Sequence, residues 1–230
     1  MQKTELEYSY LNSGTFLMQL DVSSHDIFKE ICSDVSIIRQ DGIRADDSLA
    51  GRIAEEYQLN QDLVKKYDDL MYDYFIFYLQ ECVKWKLDSE ALDHDQVNSI
   101  KNYDVIAKNF WVNFQKSYEY NPLHSHNDDL SFVLYVDVPE QIYRERDDFK
   151  PKSPFPGQIS FHESMYTLRR LNGSVKETIL SPMFDHNLSP KTGTLLIFPA
   201  HLPHEVSAFT SNVERITMSG NASVKIELNQ

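Results

Sequence analysis

Up to about residue 100 the apolar side chains recur mainly at every third or fourth position, the spacing that gathers them on one stripe of an α-helix. A first helix opens at Ser23 or Ser24, either of which can cap it, and carries Ile27, Phe28 and Ile31 on one stripe. A second is predicted over Ser48–Tyr57 and a longer third over Asn60–Leu87. In the third, Leu63, Val64, Tyr67, Leu70, Met71, Tyr74, Phe75 and Tyr78 form an aromatic-rich stripe whose ordinary use is packing against a neighbour. Residues 88–100 are polar and acidic and read as an exposed connection.

From about residue 103 the period becomes two. Short β-rich runs appear at Val105–Phe114, Ser117–Leu123, Leu130–Val138, Gln158–His162, Gly193–Phe198 and Val213–Met218, several of them parted by Pro, Gly or Asn/Asp clusters. Many short strands without helical patterns between them predict a sandwich or jelly-roll barrel. The charged, proline-containing stretch Tyr143–Pro156 reads as a long loop near the barrel mouth. A sheet of this size needs one outer face covered, and the amphipathic helices are the available cover. The expectation is a mainly β chain in two regions, with 1–100 as helical support and 101–230 as the β core, forming one compact unit.

Composition narrows the classes of function. The 230 residues include 35 acidic and 22 basic side chains, a formal net charge of −13. Such a charge disfavours general binding to nucleic acid or to an anionic membrane, both of which would repel it. No apolar run approaches the roughly 20 residues that span a bilayer, and MQKTELEYSY lacks the look of a signal peptide. The chain reads as soluble and cytoplasmic. Cys32 and Cys82 have no CxxC spacing and are expected to be free, buried thiols of a reducing compartment.

Three stretches carry chemistry. In Asn121-Pro-Leu-His124-Ser-His126-Asn-Asp128, an extended chain would place His124, His126 and Asp128 on one face, and imidazole with carboxylate suits a divalent first-row metal. The run Gly193–Phe198 leads through Pro199 and Pro203 to His204, while His201, His162 and His186 read as structural or exposed. In Val213–Asn221 the residues alternate, with Ile216 and Met218 on one face and Arg215, Thr217 and Ser219 on the other. If that polar face lines a barrel lumen, Arg215 needs an anionic partner, and a carboxylate fits its fork, with Thr217 adding a further hydrogen bond.

Together these stretches resemble the double-stranded β-helix (jelly-roll, cupin-like) Fe(II)/2-oxoglutarate oxygenases, whose pattern is H-x-D/E, a distant His, then Arg about ten residues on and Ser or Thr at plus two. His204, Arg215 and Thr217 match the distal half. NPLHSHNDDLSFVLYVDVP, TGTLLIFPAHLPHEV and, at residues 49–57, LAGRIAEEY are similar to an oxygenase branch of marine bacteriophages. The resemblance implies Fe(II) on His126 and His204, completed by His124 or by Asp128. It also implies 2-oxoglutarate on Arg215 and Thr217, with Tyr135 and Asn113 as further contacts. Such an enzyme consumes O2, converts 2-oxoglutarate to succinate and oxidises a C–H bond of a small molecule or a protein residue. Two rivals are a three-histidine cupin-like dioxygenase that uses no 2-oxoglutarate, and a non-catalytic jelly-roll interaction or virion protein.

Overall fold

The computed structural model describes residues 8–12, 15–45, 49–88, 92–148, 154–162 and 185–229. The first half runs β1 (Tyr8–Asn12), β2 (Phe16–Asp21), α1 (Asp26–Asp41), β3 (Ile43–Arg44), β4 (Glu56–Gln58), α2 (Gln61–Asp88) and α3 (His94–Asn98). Then come β5 (Ile100–Gln115), β6 (Asn121–His124), β7 (Leu130–Asp137), α4 (Glu140–Asp148) and β8 (Ile159–His162). The chain closes with β9 (Asp185–Leu188), β10 (Thr194–Pro199), β11 (His204–Val206) and β12 (Arg215–Leu228).

All of the strand pairings are antiparallel, in a large sheet ordered β1-β2-β10-β7-β12-β5-β4-β3 and a smaller one ordered β6-β11-β8-β9. The two sheets enclose a lumen whose apolar part includes Tyr135, Leu196 and Phe198 from one and Ile159, Phe161 and Val206 from the other. On its opposite face the large sheet presents Phe110, Val112, Phe114, Phe132, Leu134 and Met218 to α1 and α2. This is the mainly β arrangement that the change of period predicts, in the double-stranded β-helix form that the family resemblance implies. Alternation along each strand sends one set of residues to the helices and the other to the lumen.

The long helix has the expected stripe: Tyr67, Met71, Phe75 and Tyr78 are fully buried, and Asn60 accepts the Leu63 N–H at its start. Several expectations give way elsewhere. The first helix begins at Asp26 without a side-chain cap, because the Ser23 hydroxyl is turned to Asp21. Cys32 is exposed, since α1 buries Ile27, Ile31, Asp34 and Ile38 instead. No helix covers 49–57: Glu55 O accepts the Phe114 N–H and Glu56–Gln58 pair with β5, so sheet hydrogen bonds replace helical ones. Ser48 lies outside the described residues.

The connection after α2 contains the short helix α3, held by a capping box between Asp93 and Gln96; residues 89–91 lie outside the description. Likewise Tyr143–Asp148 is helical as part of α4, which buries Ile142, rather than a loop; residues 149–153 are again undescribed. β6 is shorter than expected because the chain turns at Lys116–Tyr118, with Tyr118 at φ 67°. β5 and β12 are longer, pairing from Arg215↔Gln115 out to Leu228↔Ile100. Polar residues at that far end hide the apolar alternation that betrays a buried strand. The region before residue 100 also contributes β1 to β4 to the large sheet, so it is not helical support alone.

Candidate metal centre

Backbone pairing brings two separate stretches together. β11 lies between β6 and β8, and His204 stands opposite His124 on one side and Phe161 on the other. Beyond His124 the strand ends, but His126 stays on the same side because its N–H donates to Ala200 O at 2.8 Å. One ligating nitrogen each from His124, His126 and His204 lies within 4.8 Å of the others. Among the described residues this cluster gathers His124 rather than Asp128 with His126 and His204. The physical reason is that sheet pairing with β11 holds His124, whereas Asp128 lies in the bend after β6.

The hydrogen bonding sets two of the tautomers. His124 Nδ1 lies 2.7 Å from Pro122 O and His204 Nδ1 2.9 Å from Leu202 O. A carbonyl only accepts, so each Nδ1 carries the proton and each Nε2 lone pair is free for a metal. Burial lowers the pKa of all three imidazoles, that of His126 to about 4 and that of His204 to about 3; neighbouring histidines add to both shifts. They are therefore neutral at physiological pH, the form that binds metal. Phe161 and Phe198 flank His204, with ring centroids at 5.8 and 5.0 Å, and Trp111 lies 5.9 Å from His126. This donor set suits a divalent first-row ion.

Across the lumen the register aligns Asn113 of β5, Thr217 of β12 and Tyr135 of β7. Asn113 Nδ2 donates to Thr217 Oγ1 at 3.2 Å, and both side chains are buried. Arg215 is 3% exposed and begins the same strand. Its Nη1 donates to Gly157 O at 2.6 Å, its guanidinium carbon lies 5.6 Å from the Tyr135 ring centroid, and its buried Nε has no partner among the described residues. Desolvation lowers the pKa of Arg215 and raises that of the Tyr135 phenol to about 12. A buried guanidinium with a carbonyl and a ring as its described neighbours can receive an anion.

One cavity contains all of these groups and is also lined by Trp111, Asn121 and Ser219. The sequence reading missed Trp111 and Asn121 as lining residues. The alternation Trp111-x-Asn113-x-Gln115 in β5 was the available signal, since polar residues on an inner face mark a lumen rather than a core. His201 is exposed, His162 Nε2 lies 3.5 Å from Glu205 Oε1, and His186 stands opposite Phe161 on β9. These three stay outside the cluster.

Residues 109–221 match the family model of 2OG-Fe(II) oxygenases, enzymes named for their iron and 2-oxoglutarate. No curated protein matches the chain. Among solved structures, the non-heme alpha ketoglutarate dependent epimerase SnoN of nogalamycin biosynthesis superposes with a TM-score of 0.53 at 12% identity, covering 90% of this chain and 76% of that one. HygX from Streptomyces hygroscopicus, solved with nickel, 2-oxoglutarate and hygromycin B, gives a TM-score of 0.50 at 10% identity, with coverage of 91% and 83%. An oxidoreductase of the 2OG-Fe(II) oxygenase family from Burkholderia pseudomallei overlaps in part (TM-score 0.35, 13% identity), over 54% of this chain and 47% of that one. The stretch that carries the histidine cluster and Arg215 thus matches the 2OG-Fe(II) oxygenase family in sequence, within a chain that has the double-stranded β-helix fold.

Proposed function

We propose that the protein is an Fe(II)- and 2-oxoglutarate-dependent dioxygenase whose iron is held by His124, His126 and His204. The observation that carries this reading is the pairing of two features in one lumen: three neutral, converging imidazoles and a buried guanidinium that lacks an anionic partner among the described residues. Arg215 would grip the far carboxylate of 2-oxoglutarate through its free Nε and an Nη group, with Thr217 adding a hydrogen bond. Asn113 orients the Thr217 hydroxyl, and the Tyr135 ring backs the guanidinium. Three neutral ligands would leave Fe(II) its full 2+ charge, of which one carboxylate of the co-substrate would offset a unit while the other is paired with Arg215.

Bound together, Fe(II) and 2-oxoglutarate would supply the O2-derived oxidant for a substrate C–H bond, with succinate and CO2 as co-products. The chain's own part is to present three Nε2 lone pairs, hold the co-substrate in one orientation and wall the site with Phe161, Phe198 and Trp111 against water. The similarity of NPLHSHNDDLSFVLYVDVP to a marine-phage branch supports the three-histidine choice. The substrate is proposed to be a small molecule or a protein residue. The acidic net charge favours either over nucleic acid. A cupin-like dioxygenase also uses three histidines, but it leaves Arg215 and Thr217 without a task.

The test is anaerobic titration of Fe(II)-loaded protein with 2-oxoglutarate, read by the weak visible charge-transfer band of the chelate. A saturable band at about one equivalent, lost in His204→Ala, supports the assignment. Iron binding without the band favours the cupin-like reading. No iron binding points to a non-catalytic jelly roll.

A further inference from the structure

In an extended chain, neighbouring side chains point to opposite faces, so an inward residue can be set from outside by gripping the one before it. Two buried charged residues on flanking strands of the large sheet are preceded by carboxylates on the helix-covered side. Glu214 precedes Arg215 of β12, and Glu55 precedes Glu56 of β4; Arg215 is 3% exposed and Glu56 1%. Both carboxylates are held by one side chain, Arg39, near the C-terminus of α1.

The geometry is bidentate twice over. Arg39 Nε and Nη2 donate to Glu55 Oε1 and Oε2 at 2.8 and 2.6 Å, and Arg39 Nη1 and Nη2 donate to Glu214 Oε1 and Oε2 at 2.9 and 2.8 Å. The guanidinium sits 4.3 Å from the centroid of the Phe114 ring, on the strand between the two carboxylates. Lys116 adds a second contact to Glu55 at 2.7 Å, but no described cation besides Arg39 forms an ion pair with Glu214. A planar fork that grips two carboxylates defines direction as well as distance, which a lysine cannot do.

We infer that Arg39 is a positioning residue for co-substrate binding: through Glu214 it sets the start of β12 and hence the guanidinium of Arg215 in the lumen. This rests on the proposal that Arg215 binds the far carboxylate of 2-oxoglutarate. Among the described residues Arg215 itself has a single hydrogen bond, to Gly157 O. Its aim therefore depends on how the backbone at 214–215 is anchored. The histidine cluster is carried by β6, β11 and the bend after β6, whereas the described hydrogen bonds, ion pairs and ring contact of Arg39 go to Glu55, Glu214 and Phe114. The clamp should consequently act on 2-oxoglutarate affinity and leave metal affinity alone.

The experiment compares wild type, Arg39→Met, Arg39→Lys, Glu214→Gln and Arg215→Met. Anaerobic Fe(II) and then 2-oxoglutarate are titrated into each, and folding is checked by circular dichroism. Arg39→Met should bind 2-oxoglutarate about tenfold more weakly, as a misaimed anchor would, with Fe(II) affinity within about twofold of wild type. Arg39→Lys should recover part of the loss. Glu214→Gln, which keeps the Arg39–Glu55 pair, should weaken 2-oxoglutarate in the same direction and serves if Arg39→Met does not fold.

Unchanged 2-oxoglutarate affinity in both Arg39→Met and Glu214→Gln, with Arg215→Met impaired, overturns the clamp and leaves the anchor standing. Equal losses of Fe(II) and 2-oxoglutarate overturn it as well, showing a merely structural role. Unimpaired binding in Arg215→Met overturns the anchor, and the clamp with it.

Discussion

Replacing Arg215 with methionine should have opposite effects on the empty and the loaded protein. In the empty protein a guanidinium that is 3% exposed holds, among the described residues, one carbonyl and leaves its Nε unpaired. Swapping such a charge for an apolar side chain of similar length is neutral or stabilising by about 1–3 kcal/mol, less about 1 kcal/mol for the stranded Gly157 carbonyl. The net is a melting temperature equal to or slightly above that of wild type. The loaded protein should behave in reverse. Loss of a buried, charge-assisted pair weakens 2-oxoglutarate by about 3–4 kcal/mol, or roughly 150- to 1,000-fold. At a ligand concentration of about 100 Kd, 2-oxoglutarate stabilises wild type by about 2.7 kcal/mol, which raises Tm by roughly 5–10 °C for a chain of this size. Anaerobic differential scanning fluorimetry of Fe(II)-loaded wild type and variant, with and without 2-oxoglutarate, reads both signs. An equal ligand-induced rise in the two proteins would falsify the anion site. A variant that melts far below wild type without ligand would refute the claim that the guanidinium lacks its partner.

Asp128→Ala should leave Fe(II) affinity within about twofold, while His124→Ala and His204→Ala should each lower it about 100-fold or more; metal titration with a competing chelator separates these outcomes. The Glu55 carboxyl is held at about 2, chiefly by its hydrogen bonds to Arg39 and then Lys116, against 4.5 when unperturbed. A lowered folded pKa means stability that is full above pH 4.5 and lost as pH falls toward 2. Urea denaturation should thus show Glu55→Gln less stable than wild type by about 1–2 kcal/mol at pH 7, a figure discounted because Arg39 is partly exposed. The gap should close with acid; a gap constant from pH 7 to pH 3 rejects the ion pair as its source. Gly193 has φ +80°, and an added Cβ would lie 2.6 Å from Ser23 Cβ. Gly193→Ala should therefore cost about 2–3 kcal/mol, and an unchanged Tm would show that the turn relaxes.

The candidate site residues were legible because metal and anion sites demand particular side chains at particular spacings. His126, His204, Arg215 and Thr217 stand out in the chain, and the alternation around Arg215 marked a polar face, though not whether it turned to a lumen or to solvent. The long helix was equally plain, since the stripe from Leu63 to Tyr78 holds one period for about four turns and leaves little room for another. Short elements were not. Nothing local marks 49–57 as a strand rather than a helix, because its conformation depends on the hydrogen bonds that β5 offers.

The choice between His124 and Asp128 could not be made from spacing, as both stand two residues from His126 and both are ligand types. Pairing with β11 is what brings His124 into the cluster, directly opposite His204. The same holds for Arg39, Glu55 and Glu214, which are unremarkable surface charges in sequence and become one clamp only when α1, β4 and β12 meet. Side-chain type and period are written locally and survive in the unfolded chain. Coordination and positioning depend on distances between residues far apart in sequence, and those exist only once the two sheets have closed.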